Sequence, residues 1–399
     1  MKSTLRTAGF FLLTIVLFTS CRKEWHDEVL PGSKLFVSAT PIGLVTKAQL
    51  QAAAVEAGYG VFAPLAKYDV FFYKVIYKTS FKGRLIQASG LLGVPVGMPT
   101  TPSLLSAQHG TIFKYVDAPS NFPLAFTGFE LFASGGFVTT IPDFIGYGVS
   151  QGTTHPYYDQ ESAGLTVTDM IKAVKYFLQT QNKAITNRLF LVGYSEGGYV
   201  TMAAQKEIET TPSHGLHVTA AAEGAGGYDL NTFVKILADT SYYATPSVLT
   251  LLIKGYNDTY NWNRPYTDFY QQPYASQLPG LLNGTKSRTE VDAALPKVPA
   301  NLFNPTFYAG LNDPGRELTL KLFLAGNSFL SWAPRNPTRL YHGTADETVF
   351  FQTSVTTFAR FKALGAPDVT FYPVPGGTHA TTIIPMMADA FPWFQSLDK

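Results

Sequence analysis

Leu189-Phe-Leu-Val-Gly-Tyr-Ser-Glu-Gly-Gly-Tyr199 decides how this chain is read. Leu189 to Val192 is an apolar run that stops at Gly193. Tyr194, Ser195, Glu196 and two further glycines follow, and helical spacing then runs from Tyr199 to Glu209. The order is strand, sharp turn, helix. Gly193-Tyr194-Ser195-Glu196-Gly197 fits G-x-S-x-G, a strained turn that lifts a serine oxygen above a parallel sheet. Gly193 and Gly197 are structural requirements of such a turn, because a side chain at either would collide with the neighbouring strand or helix. The alternative is a plain glycine-rich loop between a strand and a helix, and the rest of the chain has to decide between them.

Outward from this stretch, strands and helices alternate. Ser103 to Gln108 and Phe137 to Ile141 read as strands, with a helix from Leu124 to Ser134 between them. Ser162 to Gln179 carries Leu165, Val167, Met170, Ile171, Val174, Phe177 and Leu178 on one helical face. His217 to Ala222 is a strand of small residues. After an irregular block at 228–335, rich in Tyr, Asn, Pro and Trp with short helical pieces, the alternation resumes. A strand at Thr338–Tyr341, a helix at Phe350–Leu364, a strand at Val369–Val374 and a helix at Thr381–Leu397 close the chain. Alternation of this kind implies a mostly parallel sheet flanked by helices. Before it lie a helix at Thr46–Ala57 and an antiparallel pair, Tyr68–Lys78 and Arg84–Pro95.

A serine acting as nucleophile needs a base and a group to orient that base. His379 stands in Pro375-Gly-Gly-Thr-His379, just past the last strand. Asp346 stands in Tyr341-His-Gly-Thr-Ala-Asp346, just past the strand before it. The order Ser195, Asp346, His379 is that of one of the three known triad arrangements. The interval from Asp346 to His379 holds one helix and one strand. The interval from Ser195 to Asp346 becomes equally regular once block 228–335 is removed. Glu347 and Glu223 are rival acids, but Asp346 is better placed at a strand end. The negative charge formed on attack needs two backbone N–H donors. Glu196, after the serine, offers one. Gln108-His109-Gly110-Thr111, after the Ser103–Gln108 strand, offers the other from Gly110 or Thr111. Tyr194, His109, His155 and Tyr157 are candidates to line the pocket.

Composition narrows the alternatives. Only 15% of residues are charged and 46% are hydrophobic, so a large core is feasible and disorder is not indicated. The net charge of +2 comes without a Lys/Arg cluster, which leaves nucleic acid no electrostatic footprint. No His/Cys/Asp cluster has metal spacing, and neither a G-x-G-x-x-G nor a Walker sequence occurs. No cofactor is expected. At the N-terminus, Lys2 and Arg6 precede an apolar run from Gly9 to Ser20 that is too short to span a bilayer comfortably. The single cysteine, Cys21, follows at once, and Leu17-Phe-Thr-Ser-Cys21 resembles a bacterial lipoprotein cleavage box. The reading is a signal peptide over 1–20, lipidation at Cys21 and a polar tether over 21–34. This implies an exported protein anchored to a membrane on its periplasmic or cell-surface side.

Gly193-Tyr-Ser-Glu-Gly-Gly, Gln108-His-Gly-Thr, Pro142-Asp-Phe-Ile-Gly-Tyr-Gly-Val-Ser, His342-Gly-Thr-Ala-Asp and Gly377-Thr-His together resemble the α/β-hydrolase fold. Within it the pattern is similar to the secretory lipase-like esterases. The resemblance covers about 35–399. It implies core segments at 35–227 and 336–399, a mainly helical lid at 228–335, and structural roles for Asp143, Gly146 and Gly148. It also implies hydrolysis of a small-molecule or lipid ester by a Ser–His–Asp triad, without a cofactor. A serine peptidase of the same fold and a non-catalytic binding protein are the alternatives. The absence of a propeller-length N-terminal segment speaks against the first, and the complete Ser–Asp–His set against the second.

Overall fold

The computed structural model describes residues 32–399. The stretch read as a signal peptide, Cys21 and most of the segment read as a tether lie outside the described residues. Nine strands form one sheet: β1 (Phe36–Val45), β2 (Asp69–Phe81), β3 (Arg84–Val96), β4 (Leu104–Gln108), β5 (Val138–Pro142), β6 (Leu189–Tyr194), β7 (Ala220–Gly224), β8 (Thr338–Gly343) and β9 (Val369–Val374). Their spatial order is β1-β2-β3-β5-β4-β6-β7-β8-β9. The first three strands are antiparallel and β3 pairs antiparallel with β5; the remaining pairs are parallel. The swap of β4 and β5 puts the Ser195-bearing strand β6 beside β4, with Gln108 in register with Gly193. The loops after β4 and β6 therefore leave the sheet side by side.

Helices cover both faces. On one lie α1 (Lys47–Glu56) and α2 (Glu130–Ser134), joined by the C-terminal helix described below. On the other lie α3 (Gln160–Thr180) and α4 (Glu196–Thr210). The α3 face named from periodicity is buried: Val167, Met170, Ile171, Val174 and Phe177 pack toward the sheet. Burying one such side chain stabilises by roughly 1.5–3 kcal/mol, so this face alone fixes α3 firmly. Asp159 caps it by accepting from the Ser162 N–H at 3.0 Å.

Between β7 and β8 the chain forms α5 (Leu230–Asp239), α6 (Pro246–Thr259), α7 (Tyr266–Phe269), α8 (Tyr274–Leu281), α9 (Arg288–Ala294), α10 (Pro299–Leu302), α11 (Pro305–Asn312) and α12 (Leu318–Gly326). The segment is a series of short helices joined by loops, more of them than the sequence suggests. Its caps are local: Asp229 accepts from the Thr232 N–H, Asn304 from the Thr306 N–H, and Ser287 and Glu290 form a capping box. α13 (Gln352–Ala363) and α14 (Ile383–Leu397) complete the fold.

Three expectations are corrected. β1 was not foreseen. Pro41 lies within it, and a proline inside a strand is tolerated at a sheet edge, where β1 sits. The helix expected from Leu124 is only α2, beginning at Glu130. Gly128 takes φ +88°, which a helix cannot accommodate, and the Glu130 carboxylate accepts from the Thr127 N–H and hydroxyl. Residues 124–129 therefore run as bends and a turn ahead of α2. The small-residue strand starts at Ala220 and not at His217. Asp143, in the loop after β5, is fully buried, where it accepts from the Ser89 hydroxyl at 2.5 Å and the Ser120 N–H at 2.7 Å.

Candidate active site

β6 delivers Ser195 to a backbone conformation of φ 62°, ψ −126°. A non-glycine residue held there costs on the order of 1–3 kcal/mol. The surrounding contacts impose it. A Cβ on Gly193 would strike the Gly197 carbonyl and the Thr201 hydroxyl, and one on Gly197 would strike the Gln108 carbonyl. The two glycines let α4 start directly against β4 and β6. The Ser195 N–H donates to the Gly224 carbonyl at 2.8 Å, which pins the turn from the β7 side.

Two further loops meet over this turn. The loop after β8 carries Asp346 and the loop after β9 carries His379. They are tied together by Thr344 N–H to Val374 O and Ala345 N–H to Gly377 O, each at 3.0 Å. His379 Nε2 lies 2.8 Å from Ser195 Oγ, and His379 Nδ1 lies 2.7 Å from Asp346 Oδ2. The other oxygen, Asp346 Oδ1, accepts from the backbone N–H groups of Thr348 and Val349 at 2.9 Å each. Burial favours the neutral acid, but the hydrogen bonds and charge of His342 and His379 outweigh it and hold the Asp346 pKa well below the carboxylate range. An ionised Asp346 requires the proton on His379 Nδ1, which leaves Nε2 free to accept from the serine hydroxyl. The Tyr194 hydroxyl donates to the His379 carbonyl at 2.8 Å and steadies the His379 loop.

Gly110 borders Ser195. A Cβ on it would stand 3.6 Å from the Ser195 Cβ. The loop is braced from behind: His109 Nδ1–H donates to the Gly110 carbonyl at 2.7 Å, the His109 ring stacks on Phe144 at 4.2 Å, and the Thr111 and Tyr157 hydroxyls lie 2.9 Å apart. Burial lowers the His109 pKa, in keeping with a neutral ring. Glu196 is the first residue of α4, whose first-turn N–H groups have no acceptor within the helix.

Ser195 and His379 open into a cleft of about 520 Å³. Gly110, Thr111, His109 and Tyr194 line it. His155 and Tyr157 do not, and this corrects the pocket assignment: both lie behind the turn, where His155 meets Glu196 and Tyr157 meets Thr111. Most of the wall comes from the segment 109–129, including Leu124 and Phe126, with Tyr59 and Ile383 adding apolar surface. From the block 228–335, Arg288 alone lines the cleft. Sequence reasoning missed Leu124, Phe126 and Phe129 because Leu124–Ser134 reads as one helix.

It also missed two residues that brace Asp346 and its loop. His342 is fully buried, hydrogen-bonded to Ser354 Oγ at 2.6 Å and Val349 O at 2.8 Å, with Nε2 3.3 Å from Asp346 Oδ2. The Tyr243 hydroxyl, from the inserted block, donates to the Thr348 carbonyl at 2.6 Å. The rivals are differently placed: Glu347 is exposed. Glu223 is fully buried with neither oxygen partnered among the described residues, and burial drives its pKa well up. Among the described residues no group of His, Cys, Asp or Glu could hold a metal ion, and no helix is long and apolar enough to cross a membrane.

A mostly parallel sheet with a serine at such a turn, and with Asp and His on the loops after its last two strands, defines an α/β-hydrolase. The chain belongs to the secretory lipase family, whose model matches residues 129–397, and is accordingly a carboxylic ester hydrolase. Solved structures agree in fold. A candidate hydrolase from Legionella pneumophila superposes with a TM-score of 0.82 at 23% identity, covering 92% of this chain and 98% of its own. The rice cell wall degrading esterase LipA from Xanthomonas oryzae gives 0.75 at 25% identity, covering 90% and 95%. Candida antarctica lipase A in its closed state gives 0.65 at 16%, covering 90% and 82%. No curated protein matches the sequence.

Proposed function

We propose that this protein cleaves carboxylic esters through a Ser195–His379–Asp346 triad and an acyl-enzyme. The observation that carries the reading is the continuous chain of hydrogen bonds from Ser195 Oγ through His379 to Asp346. Ser195 Oγ attacks the ester carbonyl carbon as His379 Nε2 takes its proton. The carbonyl oxygen becomes an oxyanion and is met by the N–H of Glu196 and that of Gly110 or Thr111. One such donor is worth about 3–4 kcal/mol in the transition state. The C–O bond to the alcohol then breaks, and His379 returns the proton to the departing oxygen. Water, deprotonated by the same nitrogen, attacks the acyl carbon and frees the acid and Ser195. Asp346 keeps the tautomer in place and stabilises the imidazolium. The scheme calls for no cofactor.

The cleft volume falls within the range of small-molecule sites, and its apolar wall of Leu124, Phe126 and Phe129 favours an ester with an apolar acyl chain. The inserted block is read as a lid that reaches the cleft through Arg288. The test is a p-nitrophenyl acyl series run beside peptide p-nitroanilides. Ester turnover should exceed peptide turnover at every chain length. The opposite ranking would move the assignment to a serine peptidase, and turnover of neither would favour a binding protein.

Membership of a secretory family supports export. With it we read residues 1–20 as a signal peptide and Cys21 as a lipidated anchor to a membrane, on the periplasmic or cell-surface side. Cells fed an alkyne fatty acid should label the wild-type chain and not Cys21→Ser. Equal labelling of both would remove the anchor.

A further inference from the structure

The residue that follows Ser195 is a carboxylate, and it is buried. Glu196 is 2% exposed, its side chain turned away from the cleft into a cluster with His155, Tyr147, Tyr157 and Tyr158. His155 Nε2 lies 2.7 Å from Glu196 Oε1, and His155 Nδ1 lies 2.7 Å from the Ile145 carbonyl. A carbonyl only accepts, so Nδ1 carries a proton. Nε2 and Oε1 then share one more proton. The pair is imidazolium with carboxylate, or imidazole with carboxylic acid, and carries no net charge either way. Among the described residues no lysine or arginine forms an ion pair with Glu196. The partner is held in its own right: its ring lies 5.0 Å from that of Tyr147, and a Cβ on Gly146 would stand 2.7 Å from the His155 Cα.

A lone carboxylate at this position would be doubly unfavourable. Buried without a partner it would destabilise the first turn of α4. It would also set a fixed negative charge behind the turn at which ester attack creates another. We propose that His155 is a positioning residue for ester hydrolysis. By neutralising and holding the Glu196 carboxylate, it keeps like charge away from the oxyanion and fixes the turn whose Glu196 N–H receives it. The inference rests on the Ser195 mechanism given above. It assigns His155, 41 positions from Glu196, to the electrostatics of the turn rather than to substrate contact.

The consequence is a charge-specific rescue, which a purely space-filling histidine would not give. With p-nitrophenyl butyrate, His155→Gln should lower kcat about a hundredfold with KM changed by less than about threefold, because the substrate does not touch His155. Adding Glu196→Gln should recover at least about tenfold of that loss, since the uncompensated charge is gone. Glu196→Gln alone should lose less than His155→Gln. Melting curves ensure that each variant is assayed folded. A His155→Gln enzyme within threefold of the wild-type kcat, or a double variant as slow as His155→Gln, overturns the proposal. Should His155→Gln fail to fold, a folded Glu196→Gln enzyme that has lost more than a hundredfold overturns it equally, because the carboxylate would then be needed for itself. Ser195→Ala is the control: turnover surviving there removes the nucleophile and this inference together, whereas an inactive Ser195→Ala beside an unaffected His155→Gln removes the inference alone.

Discussion

Ser195→Ala is expected to lower kcat toward p-nitrophenyl butyrate by about 10⁵–10⁶-fold while leaving KM within a few-fold. The expected size follows from what the substitution leaves behind. Alanine removes one oxygen, and nothing else at the turn depends on it. The Ser195 N–H still donates to Gly224 O, Gly193 and Gly197 still allow α4 to start against β4, and the Tyr194 hydroxyl still holds the His379 carbonyl. The cleft and the backbone amides assigned to the oxyanion are unchanged, so ester binding survives. His379 Nε2 loses its partner at 2.8 Å, and no covalent acyl-enzyme can form. Residual turnover then comes from water attacking an ester polarised by the amides, typically 10³–10⁴-fold over the uncatalysed reaction. A pre-steady-state burst of p-nitrophenol should be present in the wild type and absent in the variant. Turnover within tenfold of wild type would mean that another group attacks, and the triad would have to be abandoned.

The parts of this site that could be read from the sequence are those whose constraint is local. Gly193 and Gly197 are adjacent to the serine they serve, and the backbone clash that demands them arises within the turn. Asp346 and His379 were placed because each follows an apolar strand at once, and a residue there necessarily lies at the sheet's C-terminal edge. The pairing of β4 with β6 adds what no local pattern holds, the register of Gln108 on Gly193, and this brings His109-Gly110-Thr111 to the serine. The supports of the site are non-local and were not legible. His342 stood in the quoted motif, yet nothing in its neighbours says that it faces Asp346 rather than the core. Tyr243 reaches the acid loop across 105 positions. From the sequence, His155 reads as a pocket residue and Glu196 as the source of a backbone N–H, with no role for its side chain. Only the fold makes them a pair. The wall at 124–129 was misread for a different reason. Its residues have helical spacing, but Gly128 at positive φ and the Glu130 carboxylate bonded back to Thr127 keep the helix from starting before Glu130, an override of local propensity.

Asp346→Asn is expected to lower kcat by about 10⁴-fold, and the hydrogen bonds around the carboxylate explain why an almost isosteric change should be so damaging. Asp346 Oδ1 accepts from the Thr348 and Val349 N–H groups. In asparagine only the oxygen can fill that place, so its NH₂ must occupy the Oδ2 position, facing His379 Nδ1. An NH₂ donates. His379 Nδ1 must then accept, its proton moves to Nε2, and Nε2 can no longer take the proton of Ser195. His342 Nε2–H, committed to the Val349 carbonyl and 3.3 Å from the same position, disfavours the NH₂ further. The amide therefore does not merely weaken the triad but locks the base in the wrong tautomer. Glu347→Gln, at an exposed position, should cost less than about threefold, and the reverse ranking would reassign the acid. Stability gives a second readout. Because its folded pKa lies below the ordinary carboxylate value of about 3.9, the ionised Asp346 contributes stability that is fully present above that value and is lost as pH falls through the folded one. Melting temperatures should favour the wild type over Asp346→Asn at pH 7, with the gap narrowing below about pH 4. A gap that is constant from pH 7 to pH 3 would mean that the carboxylate is not held ionised by His342 and His379.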